Sequence, residues 1–205
     1  MPPVALRRRA GWRGSFAELA LIVVVALALA FGIQAVIVKP FRIPSGSMIP
    51  TLEVVERVLV DRVSFRFSDP DRGDIVVFKP PAGAGDGRCG VPDVPGRACP
   101  EPTRGEFDQN YIKRVVGLPG DRLKVLEGVV YINGQPLEEP YLRASASCSL
   151  CRLPEEITIP PDHFFMMGDN RGQSEDSRVW GPVPEDQIVG NAFFTYWPLD
   201  RVGGL

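Results

Sequence analysis

The stretch Leu-Lys-Val-Leu-Glu-Gly-Val-Val-Tyr-Ile-Asn-Gly, residues 123–134, is rich in β-branched and other apolar residues and ends on an Asn-Gly step. Residues of these types favour extended strands. The step Asn133-Gly134 favours the tight turn of a β-hairpin. The stretch therefore predicts β-structure over residues 123–132, with a hairpin turn directly after it.

Similar β-rich runs occur on both sides of this stretch, with turn signals between them. They cover residues 56–67, 74–78, 111–116 and 193–197. The pattern predicts a mostly β fold, with a single antiparallel β-sheet domain over residues 39–205. Two segments, 82–108 and 145–154, are expected to be surface loops, the first of them a loop or β-ribbon insertion. No helix is expected within this domain.

The composition bounds the size of the fold and the class of partner. The chain has 205 residues, of which 44% are hydrophobic, enough for one good core but not for two independent ones. Its formal net charge is −2, and it has no dense tract of Lys and Arg. Because phosphate binding needs concentrated positive charge, nucleic acid is excluded as the main partner.

An apolar segment over residues 17–38 precedes the β-rich part, and Glu18 and Gln34 are its only strongly polar residues. As a helix it is roughly 33 Å long, which matches the ~30 Å hydrocarbon core of a bilayer. We expect a single transmembrane anchor here. A cleavable signal peptide is the alternative, but its apolar core usually has only about 7–15 residues.

The basic residues around this segment predict its orientation. They are Arg7, Arg8, Arg9 and Arg13 before the segment, and Lys39 and Arg42 directly after it. Because positive charge is retained on the cytoplasmic side, residues 1–16 are expected in the cytoplasm and residues 39–205 outside.

The four cysteines fit an oxidising exterior. Cys89 and Cys99 lie in one predicted loop, and Cys148 and Cys151 lie in the other. Disulfides within each loop are the simplest scheme, although four cysteines permit three connectivities. A zinc site of four thiolates is an alternative with unfavourable spacing, and Cys148 with Cys151 could also be a redox motif. We expect no metal site.

A hydroxyl-rich turn, Ile-Pro-Ser-Gly-Ser-Met-Ile-Pro-Thr-Leu over residues 43–52, follows the apolar segment closely. Pro44 and Pro50 stiffen it, and Gly46 allows a close backbone approach. The hydroxyls of Ser45 and Ser47 can therefore be held in one geometry. Such a turn is often only a turn, unless a proton acceptor lies near it.

The candidates for that acceptor are His163, the carboxylates and a lysine with a depressed pKa. His163 is the only histidine, and it lies at the expected entry to a strand, where a solvated or locally bonded ring is the simpler interpretation. Lys113 shares its strand face with Tyr111 and Val115, and burial among apolar neighbours would favour the neutral amine. The alternative is that this lysine extends to water. Arg114, on the opposite strand face, is expected to be solvated.

Four motifs now occur in order along the chain. They are S-G-S-M-x-P-T-L (45–52), R-G-D-I-V (72–76), Y-I-K-R-V-V-G-x-P-G-D (111–121) and G-D-N-R-x-x-S-x-D-S-R (168–178). Together they closely resemble bacterial type I signal peptidase, the leader peptidase, a family of Ser-Lys dyad serine proteases. The resemblance covers most of the chain beyond the apolar segment.

The resemblance implies roles for individual residues. Ser47 would be the nucleophile and Lys113 the general base, with the Ser45 hydroxyl and the Ser47 N–H forming the oxyanion hole. Ser174 would hydrogen-bond and orient the Lys113 amine. The supporting residues would be the ion pair of Asp176 and Arg178, with Asp169 and Arg171 as further structural partners.

The resemblance also implies the substrate and the setting. Apolar pockets for small side chains would give an Ala-x-Ala preference; their walls would be Phe41, Ile43, Pro44, Met48, Leu52, Tyr111 and Ile112. The partners would be precursor proteins that carry signal peptides, the lipid bilayer and the secretion translocon, with no cofactor. The location would be the bacterial cytoplasmic membrane, single-pass, with the catalytic domain on the outer side.

One departure and two rival hypotheses accompany this interpretation. Gly172-Gln173 stands where the family more often has Asp-Asn, which puts hydrogen bonds from these positions in doubt. The first rival is a catalytically inactive, membrane-anchored β-domain that binds exported polypeptides. The second is another Ser-Lys protease, such as a self-cleaving transcriptional repressor, but the predicted anchor and external cysteines argue against it.

Overall fold

The structure, a computed structural model, describes residues 12–142 and 148–205. The chain divides after Val38 into two compact units. In the first unit, α1 (Trp12–Ile37) is one continuous helix that contains residues 17–37 of the predicted anchor. Among the described residues, no helix meets the length and apolarity needed to cross a membrane. Arg7, Arg8 and Arg9 lie outside the described residues.

Most strands of the second unit are short, as the sequence predicts, although one has 10 residues. In chain order they are β1 (Val38–Arg42), β2 (Arg57–Asp61), β3 (Ile75–Phe78), β4 (Tyr111–Gly117), β5 (Arg122–Leu126), β6 (Val129–Ile132), β7 (Gln135–Pro136), β8 (Leu153–Thr158), β9 (His163–Met167), β10 (Val183–Pro184), β11 (Ile188–Trp197) and β12 (Gly203–Gly204). The pairings described between them are antiparallel, which confirms the predicted mostly β, antiparallel fold.

The strands of the predicted β-sheet domain form two sheets. The larger sheet has the order β1-β2-β11-β3-β4-β9-β10, with β12 paired to β11. The smaller sheet has the order β7-β6-β5-β8. One apolar core includes Val116 and Phe165 of the larger sheet and Leu123 and Ile157 of the smaller.

Residues 123–132, predicted as one β-rich stretch, fold as two strands. β5 ends at Leu126 and β6 begins at Val129, because Glu127 and Gly128 turn the chain with φ of 48° and 86°. The predicted hairpin turn is confirmed: Asn133 and Gly134 have φ of 54° and 84° and connect β6 to β7.

Other predicted boundaries also shift. The run 56–67 is a strand only as far as Asp61, whose carboxylate accepts hydrogen bonds from the N–H groups of Val63 and Ser64 and so turns the chain. Among its described residues, the domain contains one short α-helix that was not predicted, α2 (Ser177–Trp180), capped by Asp176.

The two predicted loops differ in detail from expectation. Residues 82–108 contain no strand, so the β-ribbon alternative is wrong; an isolated bridge between Pro81 and Glu106 closes the loop. The second loop, described from Cys148, ends earlier than predicted because β8 begins at Leu153. Disulfides join Cys89 to Cys99 and Cys148 to Cys151.

Candidate active site

The hydroxyl-rich turn folds as a short 3-10 helix, Gly46–Met48, a few residues after β1. Met48 and Leu52 are fully buried in the core, and they hold the turn against the larger sheet. Backbone bonds from Ile43 N to Glu56 O (2.8 Å) and from Val55 N to Ile43 O (2.9 Å) fix the segment that leads into it. The turn is therefore rigid because apolar side chains on both sides of Ser47 are buried.

Lys113 lies on β4, near the middle of the larger sheet, and only 4% of it is exposed. Its Nζ donates a hydrogen bond of 2.5 Å to Ser47 Oγ. Burial, only partly opposed by the negative charge of Asp176, lowers the pKa of Lys113 from 10.5 to about 8. The amine can therefore be neutral, and able to accept a proton, at mildly alkaline pH.

Ser45 lies beside the same hydroxyl. Its Oγ donates to Ser47 Oγ across 3.4 Å, from an extended backbone with φ of −139° and ψ of 161°. The two hydroxyls predicted from the sequence to act together are therefore adjacent in the structure. Both line the cleft described below.

The segment 168–178 is fastened directly to the Ser47 turn. Asn170 N donates to Ser47 O (3.0 Å), and Asn170 Nδ2 donates to Gly46 O (3.1 Å) and to Gln173 Oε1 (3.2 Å). Gln173 is one of the two residues that depart from the common family pattern, and its side chain does accept a hydrogen bond. The bonds from Asn170 fix the positions of the Gly46 and Ser47 carbonyl groups.

Asp176 and Arg178 form a fully buried ion pair. Arg178 Nε lies 2.7 Å from Asp176 Oδ1 and Nη2 lies 2.8 Å from Oδ2, while Gly168 N donates to Oδ2 across 3.0 Å. Burial alone would raise the pKa of Asp176, but the charge of Arg178 and the hydrogen bonds from Arg178 and Gly168 together lower that pKa. The carboxylate therefore stays ionised.

Asp169 and Arg171, predicted as further structural partners, pair with residues other than each other. Asp169 accepts two hydrogen bonds from Arg114, of 2.9 and 2.6 Å. Arg171 Nη1 donates to Glu139 Oε2 across 3.0 Å. Arg114 is 8% exposed, so the expectation that it is solvated is wrong, because core also covers this face of β4.

Ser174 is buried, but the predicted hydrogen bond from its hydroxyl to the Lys113 amine is not formed. Ser174 Oγ has no hydrogen-bond partner among the described residues. It packs against Gly168, where an added Cβ would lie only 2.3 Å from it. The hydroxyl is near the dyad without being bonded to it.

A cleft of about 830 Å³ opens over the dyad. Its lining includes Pro44, Tyr111 and Ile112 of the predicted pocket walls, together with Ser47 and Lys113. A much smaller pocket, about 20 Å³, adjoins it; its lining includes Phe41, Ile43, Pro44, Val77, Tyr111 and Ile112. Met48 and Leu52 were also predicted as pocket walls, but they line neither space because both are packed in the core.

The geometry thus brings a buried amine to a serine hydroxyl in a cleft, the arrangement needed for nucleophilic acyl transfer. Among the residues that the structure describes, no His, Cys, Asp and Glu side chains group in threes to bind a metal ion. The family profile described as "Signal peptidase, peptidase S26" matches residues 16–197 of the sequence. The chain belongs to this signal peptidase family.

Individual relatives agree with this membership. The chain is 37% identical to a probable signal peptidase I-2 from Synechocystis, over 92% of this chain and 76% of the relative. It is 39% identical to signal peptidase I from Leptolyngbya laminosa, over 88% of this chain and 79% of the relative. A solved signal peptidase I from Enterococcus faecalis matches with a TM-score of 0.41 and 26% identity, over 60% of this chain and 97% of that one. The family profile and the two sequence relatives show that the protein is a peptidase of this family.

Several residues of this signal peptidase site were missed by sequence reasoning. Thr51, Arg114 and Asn170 lie inside the recognised motifs, so the motifs could have indicated them. Thr51 Oγ1 donates to Asp169 Oδ2 (2.5 Å), and Asn170 bonds the Ser47 turn. Glu139 lies outside every motif, and no local signal points to its pairing with Arg171.

Proposed function

We propose that this peptidase removes signal peptides from translocated precursor proteins, with Ser47 as nucleophile and Lys113 as general base. The observation that carries the proposal is the 2.5 Å contact between Lys113 Nζ and Ser47 Oγ, in a buried position that lowers the pKa of the amine to about 8. The family membership supports the same substrate class.

In the first half of the reaction, the neutral Lys113 amine takes the proton of the Ser47 hydroxyl as Oγ attacks the carbonyl carbon of the scissile peptide bond. The developing oxyanion accepts hydrogen bonds from the Ser45 hydroxyl and the Ser47 N–H. The C–N bond then breaks, and the Lys113 ammonium gives its proton to the leaving amine. The signal peptide remains as an ester on Ser47.

In the second half, the neutral amine removes a proton from a water molecule, whose oxygen attacks the ester carbonyl. The C–O bond to Ser47 breaks, and the ammonium returns a proton to Oγ. The signal peptide leaves as a carboxylic acid, which then loses its proton to water. The enzyme is then restored with a neutral lysine and a serine hydroxyl.

The preference for Ala-x-Ala sites is supported by pocket size and by strand pairing. The pocket of about 20 Å³ has room only for small side chains. β9 pairs with β4 from Arg114 onward, whereas β3 pairs with it from Tyr111. Residues 111–113 therefore have an unpaired backbone edge along which an extended substrate can add a strand.

We also propose that residues 17–38 anchor the protein in the bacterial cytoplasmic membrane, with residues 1–16 inside and residues 39–205 outside, near the translocon. Charge asymmetry in the sequence and the continuous helix α1 support this arrangement. Phe193 and Trp197 are 41% and 47% exposed, and aromatic side chains of this kind favour the membrane interface.

The dyad is tested with the full-length protein in detergent and a precursor that carries an Ala-x-Ala site. Ser47→Ala and Lys113→Met are expected to lower kcat by about 10⁴-fold or more. Ser68→Ala, an exposed serine, and Lys124→Met, a lysine of the smaller sheet, serve as matched controls and should cleave normally. Cleavage by Lys113→Met at the wild-type rate would overturn the dyad, and no cleavage by any form would favour the inactive binding domain.

The anchor is tested separately by cell fractionation. The full chain should remain in the membrane pellet after alkaline extraction, and external protease should digest residues 39–205 in intact spheroplasts. Release of the protein by alkali would contradict the anchor. Protection of the domain from external protease would contradict the orientation.

A further inference from the structure

A second groove, of about 400 Å³, lies between the two disulfide-closed loops. One wall is formed by residues 92–100, beside the Cys89–Cys99 disulfide. The other is formed by Ser149, Leu150 and Leu153, around the Cys148–Cys151 disulfide. Because each wall is closed by a covalent link, the groove is held open before any ligand arrives.

The groove continues the cleft over the dyad. Ser149, Leu150 and Val179 line both spaces. Arg178 Nη1 donates to Leu150 O across 3.4 Å, and it also lies 3.6 Å from Cys148 Sγ. The same guanidinium thus bonds Asp176 and the loop between groove and cleft. A polypeptide that lies across Ser47 can therefore extend into the groove without a break.

The lining has the chemistry of a polypeptide subsite. Apolar side chains line much of it; they include Pro92, Val94, Pro95, Ala98, Leu150 and Val179. Arg97, which is partly exposed, also lines the groove. Its guanidinium group can donate hydrogen bonds to the carbonyl oxygens of an extended chain.

We infer that this groove binds the first residues of the mature chain, the part of the precursor that follows the cut, an inference that rests on the proposed function. The small pocket for the residues before the cut lies at Pro44, Tyr111 and Ile112, and it shares no residue with the groove. The leader and the mature chain would then leave Ser47 towards different ends of the cleft.

The charge of the groove lining also favours the mature chain as its occupant. Arg97 and Arg152 line the groove against a single acidic residue, Asp93, while the charge of Arg178, which also lines it, is balanced by Asp176. Lys and Arg near a membrane-spanning segment are retained on the cytoplasmic side, so the translocated start of a mature chain is poor in basic residues. Such a segment meets no charge repulsion in this groove.

The test uses two precursors with the same leader and Ala-x-Ala site, one with a long mature part and one truncated shortly after the cut. Val94→Glu and Arg97→Met are the groove variants. Val129→Glu and Arg88→Met are their matched controls, because both residues are exposed and lie outside the groove. The groove variants should raise KM for the long precursor roughly fivefold to tenfold, with kcat unchanged.

The truncated precursor separates this inference from the proposed function. Every variant should cleave it as the wild type does, whereas failure of the wild type itself to cleave it would contradict the proposed function. Unchanged KM values for the long precursor in both groove variants would overturn the groove subsite alone.

A second measurement identifies the occupant directly. A photo-cross-linking residue at position 94 of the Ser47→Ala variant should capture residues of the mature part of a bound precursor. Capture of leader residues only, or no capture, would overturn the inference.

Discussion

The Lys113 amine lies 2.5 Å from the Ser47 hydroxyl, although 66 positions separate the two residues in the chain. Among the described residues, Lys113 forms no ion pair with a carboxylate, so the serine hydroxyl is its direct polar partner. Asp176 affects the pKa of the Lys113 amine only through its negative charge at a distance, and the positive charge of Arg178 cancels much of this effect. The site therefore keeps a lysine that can lose its proton.

The first prediction concerns the pH dependence of cleavage. Because only the neutral amine can accept the serine proton, kcat/KM should rise with pH through an apparent pKa of about 8. Steady-state cleavage of a peptide substrate on both sides of this pH measures it. A rise that follows an ordinary lysine, near 10.5, would contradict the buried base.

The substitution Asp176→Asn should shift the pH profile of cleavage. The carboxylate raises the pKa of Lys113, so its neutralisation should move the rise in activity to lower pH. The same change leaves Arg178 buried without its partner, and we expect it to cost about 3–5 kcal/mol of stability. A pH profile that does not move would show that Asp176 has only a structural role.

The second prediction concerns stability. A lysine whose pKa is about 8 in the folded state and 10.5 when unfolded opposes folding at neutral pH, because the folded state holds its proton less tightly. The stability contributed by this group rises with pH between 8 and 10.5 and is constant below 8. Lys113→Met should therefore raise the free energy of unfolding at neutral pH by up to about 3 kcal/mol. Denaturant unfolding measures this, and a less stable variant would contradict it.

Local sequence patterns were enough to find β4 and the hairpin at Asn133-Gly134, because both depend on residues that are neighbours in the chain. They placed Arg114 in solvent because strand alternation distinguishes two faces but does not show that core covers both. They also missed the break at Gly128, where a glycine inside an apolar run allowed the chain to turn.

For the site, too, residues within sequence motifs were predicted, whereas contacts with residues distant in sequence were not. Ser47, Lys113 and the pair of Asp176 and Arg178 were found because motifs carry them. The partner of Arg171 is Glu139, which is distant in sequence and lies in no motif. The hydroxyl direction of Ser174 depends on its packing against Gly168, which no sequence pattern specifies.

The third prediction concerns that close packing. A Cβ at Gly168 would lie 2.3 Å from Ser174 Oγ and 2.5 Å from Ser47 O, so the backbone of the nucleophile turn would have to move. Gly168→Ala should cost about 1–3 kcal/mol and lower kcat by roughly 10²-fold or more. Gly203→Ala, where nothing lies within 4 Å of the new Cβ, is the control. Equal activity in the two variants would contradict the role of this contact.

The fourth prediction separates positioning from packing at Ser174. Because its hydroxyl makes no hydrogen bond to any residue that the structure describes, Ser174→Ala should leave Tm unchanged. If the hydroxyl orients the Lys113 amine during the reaction, kcat should fall roughly tenfold. Ser177→Ala is the comparison, because Ser177 Oγ accepts a bond from Met166 N (2.9 Å) and its loss should lower Tm. Full kcat in Ser174→Ala would remove Ser174 from the mechanism.

The fifth prediction concerns specificity. Ile43 lines the pocket of about 20 Å³, whereas Ile157 lies on β8 of the smaller sheet and packs in the core, and the two are 2% and 3% exposed. Ile43→Ala and Ile157→Ala should each cost about 2–5 kcal/mol. Only Ile43→Ala enlarges the pocket, so it alone should raise kcat/KM for a Leu-x-Leu site relative to Ala-x-Ala, by roughly tenfold or more. The same change in both variants would show that loosened packing, and not the wall at Ile43, determines which side chains are accepted.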